Sequence, residues 1–330
     1  MADLSTQYLG LTLKNPLIVG SCGLTSSIED IKQIEANGAA AVVLKSIFEE
    51  EILLEADSSL AEAIRNKMMY TELSETLDYI DLHTKEENLE NYLNLINECK
   101  KEVLIPVIAS VNCITDSEWT EFASKIQEAG ADALELNIFL NPTDSVEKDF
   151  EKMTFNIIKK VLKKVSIPIA VKLSNCFTNL AQTLVKISNT GISGLVLFNR
   201  FFSPDIDIDY FYVMSANKFS SPEEHVKPLR YMALLSDKVK CSLAASTGIH
   251  NGNSLIKQLL AGADAVQVVS TLYLNGIEHI TTILADLEKW MQSKGYYSIG
   301  QFKGKMSYKN IPNPAIYERM QFMKHFSRIG

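Results

Sequence analysis

Four stretches share one phrase: EANGAAAVVL at 35–44, QEAGADALEL at 127–136, SNTGISGLVL at 188–197 and LAGADAVQVV at 260–269. Each closes a helical pattern on or near a glycine (Gly38, Gly130, Gly191 and Gly262) and then enters a short apolar run. Glycine is the residue that most readily turns left-handed just past a helix end. The runs are rich in Val, Ile, Leu and Ala and do not alternate with polar residues, as expected of parallel strands covered on both faces.

Working outward, runs of the same kind stand at 17–21, 41–44, 107–110, 133–137, 169–172, 194–198, 243–246 and 265–268. Helical patterns lie between them, several opened by a capping residue: Ser27, Ser117, and Asn251 or Asn253. Eight strands, each followed by a helix, predict an α/β fold closed as a (β/α)8 TIM barrel. An open doubly wound sheet is the alternative, but eight evenly phrased units with no topological break favour closure. The start-to-start spacings are 24, 66, 26, 36, 25, 49 and 22 residues, so insertions follow the second and sixth strands. Residues 47–86 and 199–226 therefore fall on the C-terminal side, where active sites of this fold are built, and are candidate lid or pocket segments. The opening LSTQYLGLTLKNP at 4–16 reads as a β-hairpin plugging the barrel floor. One barrel domain accounts for residues 1–330.

Composition excludes several classes. The 330 residues are 46% hydrophobic and 22% charged, which is ordinary for a globular protein. A net charge of −8 without a basic tract argues against nucleic acid. No apolar run approaches membrane-spanning length, and MADLSTQY has neither a basic nor an apolar leader region, so a soluble, cytoplasmic protein without a membrane partner is expected. The five cysteines are scattered with no CxxC, and the five histidines form no close pair, so no metal site is expected. Buried free thiols are the plain reading of those cysteines.

In a barrel the chemistry sits at strand C-terminal ends. Those ends offer Ser21 and Cys22, Lys45 and Ser46, Ser110 and Asn112, Asn137, Lys172, Asn199 and Arg200, Ser246 and Thr247, and Ser270 and Thr271. The set is polar and holds three cations. Its one nearby carboxylate is Glu135 inside the fourth strand, for which a structural role, such as pairing inside the barrel, is expected. Strand-end lysines suit either a Schiff-base amine or the neutralisation of an anionic ring or phosphate. The last two units end in STGIHNGNS and VSTLYLNG, small-residue turns before helix starts, the usual phosphate cradle of the fold.

Taken in order, GLTLKNPLIVGSCG (10–23), VVLKSI (42–47), ALELNI (133–138) with a nearby NP, IPIAVKLS (167–174) and STGIHNGNSLIKQLLAGADAVQVVSTLYLNG (246–276) resemble dihydroorotate dehydrogenases, most closely the soluble class 1 type. The resemblance runs through almost the whole chain and is weak across the two insertions. It implies an FMN-containing barrel, commonly a homodimer, that oxidises dihydroorotate to orotate in pyrimidine synthesis. It places Lys45 and Ser46 against flavin and substrate, Asn137 facing both, and Lys172 at the pyrimidine edge of the flavin. Thr247 and Gly248 with Ser270 and Thr271 match the phosphate turns, Ser21 and Gly23 match the first turn against the ring, and Asn199 matches a cofactor-side asparagine. The family's cysteine base, three residues after the fourth-strand asparagine, is replaced by Leu140, which cannot take a proton. Thr143 and Ser145 in the same loop are the candidate substitutes, with Cys176 a further one. The substrate-binding NxMGLxN stretch has no counterpart, residues 65–75 reading RNKMMYTELSE. Arg200 stands where a serine is usual and is a candidate cation for an anionic substrate. Pro204 to Asp209 reads as a strand with one wet face. Three readings follow: an FMN-dependent dehydrogenase, a flavin-free lyase or aldolase using Lys172 or Lys45, and a degenerate FMN-binding member without turnover.

Overall fold

The structure is a computed structural model that describes residues 2–48, 89–112, 118–138, 149–200 and 204–318. A hairpin of β1 (Thr6–Tyr8) and β2 (Leu11–Leu13) opens the chain. Its turn residues Leu9 and Gly10 both have positive φ, 55° and 80°, the type I′ geometry that matches the twist of two tightly linked strands.

All eight expected strands follow: β3 (Leu17–Val19), β4 (Ala41–Val43), β6 (Val107–Asn112), β7 (Ala133–Ile138), β8 (Ile169–Leu173), β9 (Gly194–Leu197), β12 (Ser242–Ser246) and β13 (Ala265–Val268). Every neighbouring pair is parallel, and the β3–β4 and β4–β6 pairings close the sheet into a barrel. A short β5 (Ile47–Phe48) adds to β6 at Val111 and Asn112; residues 49–86 of the expected insertion lie outside the described residues. The second insertion holds an antiparallel hairpin, β10 (Pro204–Asp207) and β11 (Tyr212–Ser215). Its strands are wet on both faces rather than one, with Phe211 87% exposed.

The α-helices among the described residues are α1 (Ile28–Ala36), α2 (89–102), α3 (Glu118–Glu128), α4 (Phe150–Leu162), α5 (Leu180–Ser188), α6 (Val226–Leu235), α7 (Gly252–Ala261), α8 (Ser270–Asn275), α9 (His279–Lys294) and α10 (Ala315–Glu318). Ser27 caps α1 and Asn251, not Asn253, caps α7, each accepting a backbone N–H of the first turn. Ser117 lies outside the described residues.

The lower lumen is apolar. Tyr8, Leu9 and Leu13 of the hairpin pack against Ile18, Val43, Ile108, Ala133, Ala170, Val196, Ala244 and Ala265. The hairpin is pinned there by Thr6 donating to the Asp264 carbonyl and Leu9 N donating to Ser242 Oγ. Alanines on four strands leave room for it, and Gly194 leaves more: a Cβ there would stand 2.4 Å from Leu9 Cδ2.

Candidate functional site

Side chains two apart on a strand share a face, so the layer above the apolar floor comes from the positions two residues further on. On β6, β7, β8, β12 and β13 these are Ser110, Glu135, Lys172, Ser246 and Gln267, all buried. Glu135 is 1% and Lys172 7% exposed. Lys172 Nζ lies 3.3 Å from Glu135 Oε1 and donates to Gln267 Oε1 at 2.9 Å, while Gln267 Nε2 donates to Glu135 Oε2 at 2.6 Å. Glu135 thus pairs inside the barrel, as expected. Gln267 went unremarked in the sequence, although stepping two residues along its strand from Ala265 reaches it.

A cavity of about 330 Å³ opens above this layer, within the usual range of ligand sites. Of the expected cofactor residues, Ser21, Lys172, Asn199, Thr247, Gly248 and Ser270 line it. Phe198, Lys218 and Ser220 also line it and were not singled out. Asn199 Nδ2 donates to Asn137 Oδ1 across two strands, so Asn137 is held at the edge of the same site. Ser21 Oγ accepts from Ser46 N at 2.9 Å and lies 3.1 Å from Ser46 Oγ, which lies 2.7 Å from Ser110 Oγ. That chain is anchored by the Tyr92 hydroxyl, which accepts from Ser110 N and donates to Ser110 O. Ser46 is therefore a buried support behind Ser21. Lys45 is exposed, its N–H donating to the Thr25 carbonyl, and does not line the cavity. Gly23 begins a 3-10 turn beside the Tyr273 hydroxyl, 2.8 Å from where a Cβ would be.

The far end of the cavity is a cradle made by the seventh unit. Thr247 and Gly248 both have left-handed φ, 81° and 78°. A Cβ on Gly248 would come within 2.1 Å of the His225 nitrogen, so only glycine lets the two backbones approach. Thr247 Oγ1 donates to the Phe198 carbonyl, and Ser270 Oγ accepts from Ser220 N at 3.0 Å. Ser220 Oγ lies 3.0 Å from His250 Nε2. The Thr271 side chain is buried and donates to the His250 carbonyl, so its hydroxyl is turned away from the cavity.

Arg200 also lines the cavity, and its guanidinium reaches Glu224, at 3.2 Å, and the Asn217 and Lys218 carbonyls, tying the insertion to the barrel. Glu224 was legible in the S-x-x-E spacing of Ser221 to Glu224, the reciprocal cap in which Ser221 N donates to Glu224 Oε1. Leu140, Thr143 and Ser145 lie outside the described residues, as does Cys113. Cys176 is exposed and Cys22 and Cys241 are half-buried, so among the described cysteines only Cys99 fits the expected buried thiol.

Burial shapes the titration of the groups around this layer. It pushes the Cys22 thiol up against the opposing pull of the Lys172 charge, and pushes the Tyr8 and Tyr92 phenols up, helped in each case by the Glu135 charge. It pulls the His250 imidazole below its ordinary value. Among the described residues no three His, Cys, Asp or Glu side chains could hold a metal together, and no helix is long and apolar enough to cross a membrane.

A family profile described as dihydroorotate dehydrogenase matches residues 3–291, most of the chain. The chain belongs to the dihydroorotate dehydrogenase family. Its similar proteins include the catalytic subunit of dihydroorotate dehydrogenase B (NAD(+)) from Thermoplasma acidophilum, 26% identical over 92% of this chain and 99% of that one. The subunit of the same name from Thermoplasma volcanium is 26% identical, over 92% of this chain and 98% of its own. That from Methanothermobacter thermautotrophicus is also 26% identical, over 91% and 97% respectively.

Proposed function

We propose that this member of the family is an FMN-dependent dehydrogenase, oxidising a CH–CH bond of dihydroorotate or a closely related cyclic substrate, with residues 1–330 forming one FMN-binding barrel domain. The observation that carries the reading is Lys172: a buried ammonium held in the wall of a cavity at the strand C-termini, with the Thr247–Gly248 cradle at the other end. FMN, when bound, supplies two-electron chemistry, and a fixed cation at its pyrimidine edge favours the electron-rich form. The residues present fit that group. Lys172 offers the cation, Asn137 and Asn199 offer amides beside it, and Ser21 and Gly23 form the turn that backs the ring. Thr247, Gly248 and Ser270 offer backbone and hydroxyl groups to the phosphate, with Thr271 contributing backbone alone. Ser46 supports Ser21 from behind, and Lys45, at the end of the second strand, is assigned to the substrate on the family resemblance.

Proton removal from the substrate falls to Thr143 or Ser145, since Leu140 cannot accept one. For Lys172 the Schiff-base alternative loses ground on geometry, since its Nζ is held between Glu135 and Gln267 inside the barrel. The relatives are named catalytic subunits of an NAD-linked enzyme, which supports transfer of the electrons onward to a second subunit. The β10–β11 hairpin, with Ile206, Ile208, Tyr210 and Phe211 exposed, supports association as a homodimer. The test is anaerobic mixing of the purified chain with dihydroorotate and a panel of dihydropyrimidines. Bleaching of the flavin absorbance by one of them supports the reading; a flavin that none of them bleaches identifies a binding protein without this turnover.

A further inference from the structure

The reading above gives Lys172 a role but leaves Glu135 and Gln267 without one. Their placement is unusual. Glu135 sits directly above the alanines of the barrel floor and lies beyond the reach of solvent. Across β7 and β8 the register pairs Asn137 with Lys172 and Glu135 with Ala170, so the lysine stem bends back into the barrel instead of rising to the mouth. Gln267 reaches from β13, on the far side of the lumen, and its amide accepts from the ammonium and donates to the carboxylate at once. Glu135 Oε1 has no hydrogen bond, only the ion pair. A buried pair of this kind adds little to stability over apolar residues of similar size, so stability does not account for it.

We propose that Glu135 and Gln267 are positioning residues that keep the proton on Lys172 and pin its ammonium to the cavity wall, fixing the charge that any bound ring or anion meets there. Only the identity of that ring rests on the FMN reading. Among the described residues no other group is placed to do this. Tyr8 from the hairpin and Tyr92 from α2 lie in the field of Glu135, and Cys22 from the first turn lies in the field of Lys172. Burial holds all three in their neutral forms near neutral pH, leaving the carboxylate as the countercharge.

The test uses trace acetylation of the purified full chain with acetic anhydride, reading Lys172 by mass spectrometry from about pH 7 to about pH 10. Only the unprotonated amine reacts, so the rate reports the proton. Glu135→Gln keeps the size and the Gln267 contact while removing the charge. It is expected to raise the Lys172 rate roughly tenfold and move its pH profile to lower pH, with Glu135→Asp restoring part of the slow rate. Gln267→Leu keeps both charges and is expected to give a smaller rise, about threefold, which also serves if Glu135→Gln does not fold. A Lys172 rate and pH profile equal to those of the unmodified chain in the folded variants overturns the proposal. Adding FMN to the unmodified chain should protect Lys172. If FMN gives no protection the flavin reading fails, while the ratio of rates without FMN still decides this one.

Discussion

The lumen of this barrel has two storeys built from the same strands and separated by a single two-residue step. Below are Ile108, Ala133, Ala170, Ala244 and Ala265, closed off by Tyr8, Leu9 and Leu13; above are Ser110, Glu135, Lys172, Ser246 and Gln267. The lower storey is filled by shape, and its alanines make sense only with the hairpin in place. The upper storey is filled by charge and hydrogen bonding, and its members make sense only together. Fold and site are thus specified on alternate turns of one pleat, and a substitution is expected to disturb one storey with little effect on the other.

The strongest way to break that division is to unbalance the upper storey. Glu135→Ala strands a buried ammonium and is expected to lower stability by about 3–5 kcal/mol in chemical denaturation. Replacing both partners, Glu135→Leu with Lys172→Met, should recover most of that loss while leaving the cavity without its cation. Recovery of stability together with unchanged flavin binding would erase the distinction between the storeys. A milder probe acts below. Gly194→Ala drives a methyl into Leu9 and is expected to cost about 1–3 kcal/mol, leaving flavin affinity unchanged. A third acts behind the cradle, by pH. Burial lowers the folded-state value of His250 relative to the unfolded chain, so its neutral form is favoured on folding and that contribution is lost as pH falls below about 6.5. His250→Gln should therefore flatten the fall in stability between about pH 7 and about pH 5, and a slope identical to that of the unmodified chain would remove His250 from the account.

The barrel was legible because parallel strands announce themselves. Unbroken apolar runs, four of them after a helix-ending glycine, gave all eight strands, and the opening hairpin was readable from its strand-turn-strand length. Of the strand-end residues, Ser21, Lys172, Asn199, Thr247 and Ser270 line the cavity and Asn137 is bonded to Asn199 at its edge, while Gly248 came with the family resemblance. The strand-end rule missed Gln267 because the decisive residue there lies one storey below the mouth, where a polar side chain is expected to be structural. It did not foresee the partners of Thr271 and Arg200 for a different reason. A hydroxyl or guanidinium at a strand end has several partners within reach, and sequence spacing does not show that the His250 carbonyl and Glu224 take them. Ser46 shows a third limit: one residue after Lys45, it turns inward to the Ser21–Ser110 chain and supports the site from behind.

The central claim is that FMN lies over the strand ends with Lys172 beneath it, and titration of FMN into the purified full chain, beside the same titration into Lys172→Ala, tests it most directly. The account expects one FMN per chain, followed by fluorescence quenching, and an affinity at least roughly tenfold weaker in Lys172→Ala, the loss of one charge-assisted contact. Saturable binding that is equally tight without Lys172, or no binding to the unmodified chain, would contradict it.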